Sequence, residues 1–229
     1  IGMLLILLLA LAVRVYLLGD KNVWWDEAFT TWISRKPIER ILQLTAPDVH
    51  PPLYYIFLHG WFPLTGDGEF AGRYPAVLFG LLTVALSYPF TRRLFGQGWG
   101  LIGALALTAS RFHVWWSQET RMYSLTLLLI LLMAYLLLRL SGRDAREDRR
   151  RLWIAYTLAA TASIYLMYFA ALGWLVCGAA ALGLWAARRF DWRDMAAFTL
   201  AQVAASVAVL PWLIVSLPVW RTGSVTVPV

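Results

Sequence analysis

Four polar stretches interrupt a chain that is otherwise strongly apolar. In Trp24-Trp25-Asp26-Glu27-Ala28-Phe29, two adjacent carboxylates fall at what reads as the start of a short helix. An isolated acidic pair there is most simply a cap, because first-turn carboxylates meet orphan N–H groups. In Asp48-Val49-His50-Pro51-Pro52-Leu53-Tyr54-Tyr55, paired prolines fix the backbone and set His50 and the aromatics in a defined direction. Alone, it reads as a turn. Glu69-Phe70-Ala71-Gly72-Arg73-Tyr74-Pro75 puts a guanidinium at the mouth of an apolar run, where Arg commonly meets lipid headgroups. The fourth stretch, Arg111 to Tyr123, gathers His113, Ser117, Gln118, Glu119 and Arg121 in one polar turn. Convergence weakens the structural reading of each, since all four are expected at the same membrane face. Together their groups offer a proton acceptor and a site for an anion.

The elements that position these stretches follow from composition. Hydrophobic residues make up 60% of the chain and charged residues 14%, with 13 tryptophans, which is far from the balance of a soluble domain. The net charge of +7 fits Lys and Arg accumulating in cytoplasmic loops, so no nucleic-acid partner is expected. Cys177 is the single cysteine and lies in an apolar run, which leaves no internal disulfide and no cysteine metal site. The ends, Ile1-Gly2-Met3 and a short polar tail at Val229, are read as compatible with truncation.

A bilayer core about 30 Å thick needs about 20 helical residues. Uncharged runs of suitable length cover residues 1–18 (interrupted only by Arg14, expected to snorkel), 74–91, 94–110 and 122–138. Leu152 to Ala187 contains no charge over 36 residues and is expected to be a hairpin turning near Tyr165 to Gly173. Met195 to Trp220, broken by Pro211 and Pro218, supplies the last run. The expected fold class is therefore all-α: a polytopic membrane protein of about seven transmembrane helices, forming a single module over residues 1–229. Residues 19–73 form a long external first loop. Trp25, Phe29 and Trp32/Ile33, then Ile38, Ile41 and Leu42, recur at helical spacing, so the loop should hold two interfacial amphipathic helices. The segment 49–66 is expected to lie flat, because Pro51, Pro52, Gly60 and Pro63 leave too short a clean helix to span. With that placing, the cytoplasmic connections, including the basic loop 139–151, hold 11 of the 20 basic residues, whereas residues 19–72 carry 4 Lys+Arg against 7 Asp+Glu. Charge bias alone leaves the inverted topology open.

In order and spacing, the four stretches resemble the bacterial branch of the glycosyltransferase-C superfamily, close to the protein O-mannosyltransferase and aminoarabinose-transferase families. The residues carrying the resemblance are Asp26-Glu27, His50-Pro51-Pro52-Leu53, Arg73-Tyr74-Pro75 leading into Gly80, and Ser117 to Tyr123, within residues 14–140. The resemblance implies a membrane module of about seven helices, followed in such families by a variable C-terminal part. It also implies transfer of a sugar from a polyprenyl-phosphate donor to an unidentified acceptor (lipid, glycan or protein) on the external face of a bacterial inner membrane. Absence of room for a cytoplasmic nucleotide-sugar domain, and of a Gly-rich phosphate loop, favours a lipid-linked donor as well. For such a reaction Asp26 is expected to be the base and Glu27 its partner, with Arg73 and Arg121 as phosphate ligands. His50, Gln118, Glu119 and Tyr123 would shape the substrate site. No cofactor is required; a divalent cation is compatible with the nearby acidic and histidine groups, but no spacing demands one. The rival readings are a transporter or flippase, which usually shows repeats and midplane charges absent here, and a structural subunit, which leaves the polar clustering unexplained.

Overall fold

The computed structural model describes residues 1–142 and 148–222, with side chains described through Leu217. The part of the basic loop at 143–147, including Arg146, lies outside the described residues. Among the described residues the structure is helical throughout, without strands. Each charge-free run holds a helix: α1 Gly2–Val15, α5 Glu69–Phe95, α6 Trp99–Ala109, α8 Tyr123–Leu140, α9 Arg149–Leu166, α10 Ala171–Ala186 and α11 Trp192–Thr222. Between the first two of these stand α2 Trp25–Ser34, α3 Ile38–Thr45 and α4 Leu53–Thr65, and the short α7 Arg111–Trp116 separates α6 from α8.

Four helical stretches are long and apolar enough to cross a membrane: α5, α8, Tyr168–Ala186 (a single 3₁₀ turn running into α10) and Trp192–Leu217 of α11. The apolar α1 and α6 are shorter, at 14 and 11 residues, and α9 opens on three arginines. Helix α4, at 13 residues, packs against α2 and α3 over one end of the bundle. The long uncharged run does divide where expected, at an extended Met167 followed by the 3₁₀ turn. Helix α11, in contrast, continues through Pro211 and Pro218 rather than breaking there, as apolar helices do when neighbours accommodate the freed backbone.

Helix α5 is the axis of the bundle, packing against α1, α6 and α8, while α8 continues to α9 and α9 to α11. The core of α8 to α11 is apolar, built on Met133, Leu137, Tyr156, Ala160 and Ala205. A second cluster sits over one end, where Ile33 of α2, Ile41 of α3 and Tyr54, Tyr55 and Leu58 of α4 close on Met122 and Leu166. Proline chemistry fixes α4 to α5. Pro75 has no N–H for the carbonyl of Ala71 four residues before it, and Trp61 Nε1 donates to that oxygen instead at 2.9 Å.

Two glycines of α5 let the 117–121 segment lie directly on the helix. A Cβ at Gly72 would meet Thr120 Oγ1 at 3.1 Å, and one at Gly80 would stand 2.2 Å from Ser117 Oγ and 2.8 Å from its Cβ. The contact at Gly80 is impossible without moving the segment. Gly80→Ala should therefore lower stability by about 1 to 3 kcal/mol through overpacking. Gly178→Ala in α10, where an added Cβ meets nothing within 4 Å, should raise it by about 0.5 to 1 kcal/mol through helix propensity. Unfolding midpoints in detergent distinguish the two; equal shifts would remove the packing argument.

Candidate active site

The four polar stretches meet at one end of the bundle. Asp26 and Glu27 are consecutive in the first turn of α2, but helical rotation sends them to different partners. Glu27 turns inward and forms a two-pronged ion pair with Arg73 of α5, Nε donating to Oε1 at 2.9 Å and Nη2 to Oε2 at 2.7 Å. Both side chains are 2% exposed. The remaining Arg73 donors go to backbone oxygens at the exit from α1: Nη1 to Leu18 at 2.8 Å and Lys21 at 3.1 Å, Nη2 to Asn22 at 3.3 Å. A guanidinium has five N–H groups, and all five are engaged here. Glu27 Oε1 also accepts the backbone N–H of Thr120 at 2.8 Å. Burial pushes the Glu27 carboxyl up, but the Arg73 and Thr120 hydrogen bonds outweigh it and hold the group below its usual value.

Asp26 stays at the surface, its side chain 38% exposed, with Oδ2 3.9 Å from Nη2 of Arg121. Arg121 is itself 2% exposed. Its Nη1 donates to Thr30 Oγ1 at 3.0 Å, and Nη2 lies 3.1 Å from His50 Nε2 and 3.5 Å from the Tyr123 hydroxyl. The other ring nitrogen of His50, Nδ1, lies 3.5 Å from the same Arg121 nitrogen and 3.7 Å from Asp48 Oδ1. Nε of Arg121 has no partner, nor do the buried hydroxyls of Tyr54 and Tyr55, both within electrostatic reach of that guanidinium. A partly exposed carboxylate thus stands beside a buried cation with a donor to spare. Such a pair can accept a proton and receive an anion.

Other residues expected at the site have structural partners. Gln118 Nε2 donates to the carbonyls of Arg14 and Tyr16, both at 3.1 Å, and more weakly to Val13, which caps the end of α1; its Oε1 accepts from Lys21. Glu119 accepts from the Trp24 indole, and burial, reinforced by the Glu27 charge, pushes its carboxyl up. Arg14 does not snorkel. It is fully buried and bonds His113 Nδ1 at 2.6 Å and the carbonyls of Ala10 and Leu107 at 3.0 and 3.3 Å, because the short α1 brings it against α6 and α7 rather than lipid. Thr30, Trp24 and Tyr55 were not singled out by sequence reasoning. For Thr30 the signal was present: it lies four residues after Asp26, on the same helix face. Among the described residues no three His, Cys, Asp or Glu groups converge as a metal site would require.

An all-α integral membrane protein with its acidic and histidine-bearing polar stretches meeting at one end of the bundle is the class this fold defines. Residues 49–215, most of the chain, match the dolichyl-phosphate-mannose-protein mannosyltransferase family, and the chain belongs to that family. The fold is similar to that of ArnT from Cupriavidus metallidurans, crystallised in the apo state, with a TM-score of 0.65 and 23% identity over 98% of this chain. The chain spans 42% of the length of that structure. The glycosyltransferase-C resemblance read from the motifs therefore holds. No protein of curated function matches the sequence.

Glu27→Gln should cost about 3 to 5 kcal/mol of stability, because it leaves Arg73 buried without a counter-charge. Asp26→Asn should cost about 1 kcal/mol or less, because the Asp26 carboxylate is 38% exposed and stands 3.9 Å from Arg121 rather than closing a buried two-pronged pair. Denaturation of the two variants side by side checks the division of roles, and equal losses would refute it. His113 gives a second test. Burial, and then the Arg14 charge, push its imidazole down to about 4. A histidine with a lowered folded-state value contributes stability that is present above its unfolded value near 6.5 and lost as pH falls toward 4. Over that window wild type should lose about 3 kcal/mol more than His113→Gln, which can still accept from Arg14 but does not titrate. Parallel pH profiles would exclude His113 as the titrating group.

Proposed function

We propose that the chain is the membrane module of a glycosyltransferase that moves a sugar from a polyprenyl-phosphate donor to an acceptor hydroxyl on the external face of a bacterial inner membrane. The observation that carries this reading is the Asp26–Arg121 arrangement. One carboxylate is open enough to meet an acceptor, and 3.9 Å away lies a buried guanidinium whose Nε has no partner. In the reaction, Asp26 takes the proton of the acceptor hydroxyl as its oxygen attacks the anomeric carbon. The bond from that carbon to the donor phosphate oxygen breaks, and the negative charge left on the polyprenyl phosphate is received by Arg121. His50 and Tyr123 flank that phosphate. Arg73 was an equal candidate by sequence, but its five engaged donors make it the partner of Glu27, and Glu27 acts by positioning. Gln118 and Glu119 support the segment from behind. No step requires a metal.

The seven longer helices would all cross, with α1 and α6 reaching across a locally thin bilayer, and residues 1–229 would form one module. The described arginines at 92, 93, 139, 149–151, 188, 189 and 193 all fall at the end of the bundle opposite Asp26, which favours that end as cytoplasmic. Helices α2 to α4 would then lie at the external interface. A lipid donor is supported by an apolar groove of about 600 Å³ that begins at Pro52 and Leu53, beside His50. It runs between Ile56 and, on α9 and α11, Leu158, Tyr165 and Trp212. An isoprenoid chain could lie there with its phosphate toward Arg121. The charged groups lie toward the two ends of the bundle rather than at its midplane, which favours a transferase over a transporter.

The assay is transfer from a polyprenyl-phosphate sugar, with donor binding measured separately, in the full-length protein. Asp26→Asn should abolish transfer and leave donor binding intact, because an amide of nearly the same shape cannot take the proton. Arg121→Lys should lower turnover by about 2 to 4 kcal/mol in the transition state, because an ammonium cannot reproduce a planar fork on phosphate. Wild-type turnover in Asp26→Asn would sink the base assignment. Unchanged turnover in Arg121→Lys would move the phosphate elsewhere.

A further inference from the structure

A second groove lies between α1, α6 and α7. It measures about 410 Å³, within the range of ~300 to 1,000 Å³ usual for small-molecule sites. Its walls are apolar, formed by Leu9 and Val13 of α1, Leu105 and Ala109 of α6 and Val114 of α7. The upper end changes character. Arg111, Trp115 and Gln118 close it, and Lys21 reaches over, its Nζ 5.7 Å from the centre of the Trp115 ring and bonded to Gln118 Oε1.

Charge at this end is one-sided. Arg111 is exposed and forms no ion pair or hydrogen bond among the described residues. Directly behind the wall, next to Val13, the buried Arg14 has only carbonyls, a hydroxyl and a neutral imidazole as partners. Of the two carboxylates near this end in the chain, Asp20 adjoins Lys21 and Glu119 is already held by the Trp24 indole. The groove lining holds Arg111 and no carboxylate, with Lys21 over its mouth and Arg14 behind its wall, and low-dielectric walls focus that positive potential into it. A neutral lipid gains nothing from such a rim. An amphiphile with a negative head and a hydrocarbon tail matches both parts.

We infer that this groove between α1, α6 and α7 is a binding site for an anionic phospholipid of the surrounding bilayer, distinct from the donor site at Arg121. The tail lies between Leu9, Val13 and Leu105, and the phosphate is held by Arg111 and Lys21. Through Gln118, which caps α1 and lies three residues before Arg121, the bound lipid would brace the segment that carries the reacting cation. The inference rests on the proposed placing of α1 and α6 in the bilayer and not on sugar transfer.

The test compares binding of dioleoyl-phosphatidylglycerol and dioleoyl-phosphatidylcholine to the purified chain in neutral detergent, by native mass spectrometry and by the shift of the unfolding midpoint. Phosphatidylglycerol should bind about tenfold more tightly, the scale expected for two surface cations on one anionic head. The preference should fall to about twofold or less in the Lys21→Ala/Arg111→Ala double variant, which alters only side chains at the rim. Ala109→Trp, which fills the apolar wall and leaves the cations in place, should weaken both lipids. Equal binding of the two lipids by wild type overturns the site, as does a preference that survives in the double variant. Full competition by glycerol 3-phosphate would also overturn it, by showing a soluble phosphate site. Absence of binding by either lipid would instead count against the placing of α1 and α6 in the bilayer.

Discussion

The ion pair between Glu27 and Arg73 fixes the geometry of the whole site. Two charges removed from water cost several kcal/mol each, and their attraction offsets this only when every other polar atom is also matched. Here that condition is met: Arg73 engages all five donors, and Glu27 adds the Thr120 N–H. The pair joins three parts of the chain far apart in sequence. Glu27 is covalently next to Asp26, Thr120 is next to Arg121, and the carbonyls of Leu18, Lys21 and Asn22 are the exit from α1. A saturated buried pair of this kind adds little net stability, yet it excludes alternative registers, because any shift strands a charge. Asp26 and Arg121 are thereby held across a gap that neither side chain could enforce itself.

Backbone features serve the same end. Gly72 and Gly80 present α5 as a bare surface on which Thr120 and Ser117 rest, and Pro75 frees the carbonyl that holds Trp61. The aromatic face of α4 is then fixed over Met122, and His50, just before α4, contacts Arg121. Small residues and prolines in this stretch are consequences of close approach rather than of loop flexibility.

The helices were legible because the bilayer imposes a length and a composition on any segment that crosses it, and charge-free runs report both. The break in the run 152–187 could be placed within a few residues for the same reason. Partner choice was not legible. Asp26 and Glu27 look alike in sequence, and only the 100° turn between successive helical positions separates the surface carboxylate from the buried one. Arg73 and Arg121 are likewise equivalent until their donors are counted, and the sequence does not show that carbonyls at 18, 21 and 22 converge on the first. Arg14 was read as snorkelling from its place near a helix end; its burial depends on a short α1 meeting α6 and α7, which is tertiary information. Gln118 and Glu119 were grouped with substrate for a related reason, since a motif marks which residues gather but not which of them face inward.

The distribution of unmet hydrogen bonds separates the supporting part of the site from the part open to a ligand. Among the described residues four buried side-chain polar atoms lack a partner, and three of them, Arg121 Nε and the Tyr54 and Tyr55 hydroxyls, belong to the group around Arg121. The clamp at Glu27 and Arg73 has none. Leaving such atoms unpaired costs about 1 to 3 kcal/mol each, so their concentration on one side of the clamp is not what stability alone would select. A protein that can saturate Arg73 completely, a few residues away, has the means to saturate Arg121 as well. The contrast between the two guanidiniums, one closed and one with a donor to spare beside a partly exposed carboxylate, is therefore the strongest physical support for the proposal that the chemistry lies at Asp26 and Arg121.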